Sequence, residues 1–182
     1  MGYAIARQAM LRGAEVTLIS GPVSLTPPPF VKVIPVVSAA EMFQAVSAHW
    51  EEQELLIKAA AVADYTPLDM AEEKLKKEDG EFAVPLKRTE DILLWLGEHK
   101  KPGQVLCGFS METNNVVENS RKKLEKKHAD LIAANSLKEP GAGFGTDTNH
   151  LLLIGKEGVK DLPLLSKEEA ANILLDELLR IG

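Results

Sequence analysis

The residues best placed to do chemistry in this chain are charged side chains just beyond apolar runs. Ala59-Ala60-Ala61-Val62-Ala63-Asp64-Tyr65 closes the run that starts at Glu54. Small residues at a strand end let a flat or phosphorylated ligand approach the backbone. Asp64 is placed either to accept hydrogen bonds from a base, a ribose or an amine, or to cap a turn. Glu72-Glu73-Lys74-Leu75-Lys76-Lys77 lies in a long polar stretch. A lysine there can meet a triphosphate as a loop closes, or the run can simply be a solvated surface. The segment 115–127 reads as a helix bearing Arg121, Lys122, Lys123, Lys126 and Lys127. Lys123 and Lys127 fall on one face, where like charges repel by roughly a few tenths of a kcal/mol. An anionic ligand would reverse that cost, and an exposed polar face would tolerate it.

Other chemistries find no support. There is no GxxxxGK[ST] phosphate loop, and the glycine cluster Gly141-Ala142-Gly143-Phe144-Gly145 precedes a strand-like segment. It therefore misses the context of a dinucleotide fingerprint, which sets a nicotinamide or flavin oxidoreductase aside. His49, His99, His128 and His150 lie far apart, without metal-ligand spacing, so no metal-ligating residue is assigned. Cys107, between Leu106 and Gly108 in an apolar strand, reads as a buried structural thiol. A single cysteine cannot form an internal disulfide, which is consistent with a reducing cytoplasm. The 182 residues carry 21 basic and 27 acidic side chains, a net charge of -6. That balance argues against a general binder of nucleic acid or anionic membranes. No apolar run approaches the roughly 20 residues of a membrane helix, so the expectation is a soluble cytoplasmic protein.

The elements that must position these residues alternate in period. Helices are expected over 2–11, 39–50, 90–98, 115–127 and from 167 onward, the last introduced by a capping box of Ser166 and Glu169. Strands are expected over 15–20, 31–37, 54–63, 81–86, 104–109 and 129–134, with a hairpin of 151–155 and 159–164. The continuous apolar stretch 54–63 reads as a central parallel strand buried on both faces. Alternating strands and helices imply a doubly wound, mainly parallel α/β sheet, Rossmann-like, with helices on both faces. Ligands then sit beyond the carboxyl ends of the strands, in loops 21–30, 63–80, 110–114 and 135–148.

Taken in order, AAAVADY, EEKLKK, the EDIL of KRTEDIL, GFSMETNN, RKKLEKKHADLIAAN and GFGTDTNHLLLI resemble bacterial phosphopantothenoylcysteine synthetases across nearly the whole chain. The early GPVSL and PPPFVKVIPV match as well. The resemblance implies one ligase domain over 1–182, with its N-terminal strand and loop lying before Met1. It implies that the carboxylate of 4′-phosphopantothenate attacks CTP, with Mg²⁺, to give an acyl-cytidylate and pyrophosphate. Cysteine then takes the acyl group, releasing CMP. It further implies a homodimer and, in many bacteria, fusion to a flavin-dependent decarboxylase domain. By motif, Lys74 would be the flap lysine that meets the triphosphate. Asp64 and the strand end Lys58-Ala59-Ala60 would contact the nucleotide, Lys58 only through its backbone because relatives are commonly small there. Glu90-Asp91-Ile92-Leu93 would form a nucleotide-binding stretch, with Glu90 replacing the usual proline. Phe109 would pack on the base or ribose, and Lys123 and Lys127 would complete the anion pocket. A catalytically incomplete nucleotide-binding module of the same fold is the alternative.

Overall fold

The computed structural model describes residues 1–69, 73, 83–112, 114–136 and 145–182. Helix α1 (Gly2–Leu11) ends ahead of Gly13, whose positive φ of 87° is the left-handed geometry a glycine supplies. Strands β1 (Thr17–Ser20) and β2 (Lys32–Pro35) follow and pair in parallel as a separate two-stranded sheet. Helix α2 (Ala39–His49) leads to β3 (Leu55–Lys58). Strands β4 (Tyr65–Pro67) and β5 (Leu86–Arg88) form an antiparallel pair beside the entry to α3 (Ile92–His99). Then come β6 (Val105–Glu112), α4 (Val116–Lys126) and β7 (Leu131–Ser136). The chain closes with β8 (Thr148–Asn149), β9 (Leu151–Gly155), β10 (Val159–Asp161), β11 (Leu165–Ser166) and α5 (Lys167–Ile181).

The main sheet has the order β10-β9-β7-β6-β3, parallel from β3 through β7 and antiparallel beyond. Period-two alternation divides its side chains between two cores. Val105, Cys107, Leu131 and Ala133 pack with Ile5 of α1 and with Ala171, Leu174 and Leu178 of α5. Leu56, Leu106 and Ile132 face the other way, onto Ile92, Leu93 and Leu96 of α3 and Leu124 of α4. Helices thus cover both faces, the mixed α/β layering expected from the sequence. The capping box is present in full: Ser166 accepts from the Glu169 backbone, and the Glu169 carboxylate takes the Ser166 N–H.

Two strands differ from their expectations. Residues 54–63 contain only the four-residue β3, which lies at an edge of the main sheet, and only Leu56 in it is buried. From Ala59 the backbone leaves the ladder, because the small side chains that follow bring little apolar surface to hold it there. Residues 81 and 82 of the expected strand 81–86 lie outside the described residues, and the ordered pairing begins at Leu86. Among the described residues, no helix is long and apolar enough to cross a membrane.

Candidate functional site

The parallel strands aim their carboxyl ends at a cleft of about 350 Å³. Lys58 enters it from the end of β3. Alternation puts Lys58 on the same face as Leu56, toward α3 and α4. Asp64 and Tyr65 enter from the chain leaving that strand, and Glu90, Asp91 and Ile92 from the start of α3. Lys126 and Lys127 close the α4 side.

Asp91 organises this wall. As N-cap of α3, its Oδ1 accepts the Leu94 N–H at 3.1 Å. Its Oδ2 accepts from the Lys127 ammonium. The lysine side chain is 14% exposed and the aspartate 45%, so the cation is held while the carboxylate faces the cleft. Burial opposes the charge on Asp91, yet the Lys127 and Leu94 hydrogen bonds and the nearby Lys58 hold its carboxyl below the ordinary value. The pair forms because α3 and α4 approach to backbone contact at Gly97. A Cβ there would collide with the Lys127 carbonyl and stand 3.1 Å from the His128 Cβ.

Lys123, one turn before Lys127, donates to the Phe109 carbonyl at 3.2 Å. Burial, with repulsion from Lys127, lowers its pKa against the opposing pull of Glu112, Asp91 and Asp64. Lys58 is lowered in the same way, first by burial and then by Lys123, with Asp91 and Asp64 acting against the shift. The two i, i+4 lysines are thus not an undirected polar face: one grips β6 and the other grips α3.

The cleft therefore assembles Lys58, Asp64, Glu90, Asp91, Ile92 and Lys127, with Lys123 in electrostatic reach. Asp64 caps no turn. Its carboxylate makes no hydrogen bond among the described residues, and only its backbone carbonyl is engaged, by the Thr89 N–H at 3.0 Å. Four expected residues sit elsewhere. Phe109 alternates onto the α5 side, where its ring packs against the α1/α5 core; only its carbonyl points this way, to Lys123. Leu93 is 3% exposed and lies over β6, in the space left by Gly108. Ala59 sits beside the start of α1, within 3.6 Å of where a Gly2 Cβ would stand, and neither it nor Ala60 lines the cleft. Lys74 lies outside the described residues, as do Gly141 and Gly143 of the glycine cluster.

Val62, Tyr65, Arg88, Thr89 and Lys126 line the cleft without having been assigned to the site from the sequence, Val62, Tyr65 and Lys126 having been named only as members of their motifs. The Thr89 hydroxyl donates to the Ala63 carbonyl at 2.6 Å, tying β5 to the strand-end segment. The Arg88 guanidinium stands 5.9 Å from the Tyr65 ring centre. Their only sequence signal was adjacency, Arg88-Thr89 before Glu90 and Tyr65 after Asp64. Chemically, the arrangement presents ammonium and guanidinium groups to an anion and leaves carboxylates to accept from hydroxyls or amines. Among the described residues, no group of three or more His, Cys, Asp or Glu side chains could hold a metal ion.

With this geometry, residues 1–181 match the family model for the DNA/pantothenate metabolism flavoprotein C-terminal domain. The chain is 48% identical over 180 residues to the coenzyme A biosynthesis bifunctional protein CoaBC of Bacillus subtilis, covering 98% of itself and 44% of that relative. It spans less than half the length of that curated relative. A crystal structure of the C-terminal domain of a CoaBC protein is 41% identical, with a TM-score of 0.81 over 97% of this chain and 79% of that one. A Cab2 variant solved with phosphopantothenate-cysteine shares the fold at 16% identity, with a TM-score of 0.80 over 99% of this chain and 77% of that one. The chain belongs to the family of the DNA/pantothenate metabolism flavoprotein C-terminal domain.

Proposed function

We propose that this chain is the ligase part of a coenzyme A biosynthesis protein, joining 4′-phosphopantothenate to cysteine at the expense of CTP. The observation that supports this reading best is the cleft itself. At the carboxyl end of β3 it combines Lys58 and Lys127 with Asp64 and Asp91, and Lys123 lies within electrostatic reach. A carboxylate becomes an acyl donor only when it carries a good leaving group, and a nucleoside triphosphate supplies one. The carboxylate oxygen of 4′-phosphopantothenate attacks the α-phosphorus of CTP, the bond from that phosphorus to the bridging oxygen of the β-phosphate breaks, and pyrophosphate leaves. The cysteine amine then attacks the activated carbonyl, and CMP leaves as the amide forms. Family relatives named for coenzyme A biosynthesis, and a fold relative holding phosphopantothenate-cysteine, support these substrates.

In this reading Lys127 and Lys123 offset the charge that develops on the phosphates, and Asp64 accepts from the ribose or base. Asp91 keeps Lys127 extended, and Lys74 has the role of meeting the triphosphate that the family resemblance implies. Mg²⁺ would arrive on the triphosphate, since among the described residues the carboxylates do not form a metal cage of their own. When bound it would screen phosphate charge. Two copies of the chain, and a flavin-dependent decarboxylase domain joined to it, complete the proposal.

The test is pyrophosphate release from 4′-phosphopantothenate, cysteine, CTP and Mg²⁺. Release that depends on all four supports the ligase. Binding of CTP without release would leave a nucleotide-binding module instead. Replacing CTP with ATP checks the nucleotide.

A further inference from the structure

Among the described residues, Lys58 is the one ammonium that reaches the cleft from the main sheet. The strand around it sets its direction. Leu56, two residues earlier, packs on the α3/α4 core, so the Lys58 side chain leaves β3 toward Asp91 and Lys127. The charges facing it do not balance locally. Asp64, Glu90 and Asp91 supply negative charge, while Arg88, Lys126 and Lys127 supply positive charge alongside Lys58. Lys123 adds a further cation in electrostatic reach. Asp91, the carboxylate among these with side-chain partners, already accepts from Lys127 and from the Leu94 N–H. The Lys58 ammonium makes no ion pair or hydrogen bond with any described residue, although the residue is part-buried. An ammonium in that position is costly unless an anion arrives to meet it.

We infer that the Lys58 side chain binds the phosphate chain of the nucleotide, as a third ammonium acting with Lys123 and Lys127. The inference rests on the nucleotide reading of the cleft and adds a side-chain ligand to it. Burial and the neighbouring lysines lower the pKa of Lys58. A phosphate beside it acts in the opposite direction, so binding is linked to proton uptake wherever the amine of the free chain is partly deprotonated. A lysine that merely packed against the α3 entry would show no such linkage.

Inorganic tripolyphosphate, CTP and CMP are titrated calorimetrically into the wild-type chain, Lys58→Met and Lys58→Arg. The titrations are run across the alkaline range in two buffers of different ionisation enthalpy. The expected result is a loss of about tenfold in affinity for tripolyphosphate and CTP in Lys58→Met, with CMP affected much less and proton uptake reduced. Lys58→Arg should recover most of the tripolyphosphate affinity. Unchanged tripolyphosphate binding in Lys58→Met overturns the inference. So does equal weakening of CMP and CTP with tripolyphosphate unaffected, which would move Lys58 to the base. A wild-type chain that binds no tripolyphosphate overturns it too. Loss of ligase turnover as a property of the wild type, with tripolyphosphate affinity still dependent on Lys58, would sink the proposed reaction and leave this inference standing.

Discussion

Two lysine–aspartate pairs, one at each end of α3 and both reaching the chain just past α4, use the same chemistry for different ends. Lys100, just past α3, donates to Asp130 at 2.5 Å, and the same Asp130 oxygen accepts the Leu106 N–H at 2.8 Å. Both side chains are largely covered, at 21% and 12% exposed. Lys127 and Asp91 are joined across the same two helices, but there the aspartate is 45% exposed and opens onto a cleft with three further lysines at hand. Asp130 fastens the end of α3 to the start of β6, and its partners all belong to the folded chain. Asp91 holds a cation beside a space that the fold leaves empty. A saturated pair is a fastening, and an unsaturated one is a site.

The largest effect expected from this contrast is on the saturated pair. Asp130→Ala strands the Lys100 ammonium and the Leu106 N–H together, and should cost about 2–3 kcal/mol of stability. Urea unfolding reads the loss, and the folded fraction should bind CTP as before. Equal losses of stability and affinity would break the comparison. Gly97→Ala comes next and should affect both quantities. The new methyl group meets the Lys127 carbonyl, so α3 and α4 must part, at about 1–3 kcal/mol. Parting them also pulls Lys127 from Asp91, so CTP affinity should fall with stability. Gly108→Ala is the control: its methyl meets Leu93 Cδ2 at 2.5 Å, the end of a side chain that can turn aside, and affinity should hold.

Local rules made the frame of this molecule legible. The Ser166-Glu169 box, the Gly13 helix end and the α3, α4 and α5 periodicities are each decided within a few residues. The parts that needed tertiary contact were not legible in that way. A continuous apolar run does not say whether its strand is central or at an edge, and 54–63 proved to be an edge strand of four residues. The side chain of Phe109 followed a parity that only the register of β6 between β3 and β7 determines. Arg88 and Thr89 join the site because β5 pairs with β4 about twenty residues upstream, and strands of three residues leave almost no pattern. Asp64 was readable as a ligand or a turn cap, and its carboxylate has no turn to cap among the described residues. The resemblance brought the helix lysines forward; the fold adds what each of them grips.

A smaller stability effect, with a larger functional one, is expected for the unsaturated pair. Lys127→Met should shift the urea midpoint little, since Asp91 regains water at a half-exposed position. It should weaken CTP binding by about tenfold to a hundredfold. Lys122, on the same helix but paired with Glu118 in solvent, is the control, and Lys122→Ala should leave CTP binding unchanged.

The smallest effect is on pH, and it isolates Asp91 from its partner. The Asp91 carboxyl is held below its ordinary value, so the ionised form favours the folded state. That contribution is complete above the ordinary carboxylate pKa and is lost as pH falls through the lower, folded-state pKa. Asp91→Asn removes it while keeping an acceptor for the Leu94 N–H, so the helix cap survives. The variant should therefore unfold at nearly the wild-type urea concentration in strong acid and fall slightly behind it toward neutrality. If the two curves instead run parallel at every pH, Asp91 contributes no charge to the fold. The attraction between Asp91 and Lys127 would then act on the orientation of the lysine alone, and the contrast with Asp130 would become one of kind rather than degree.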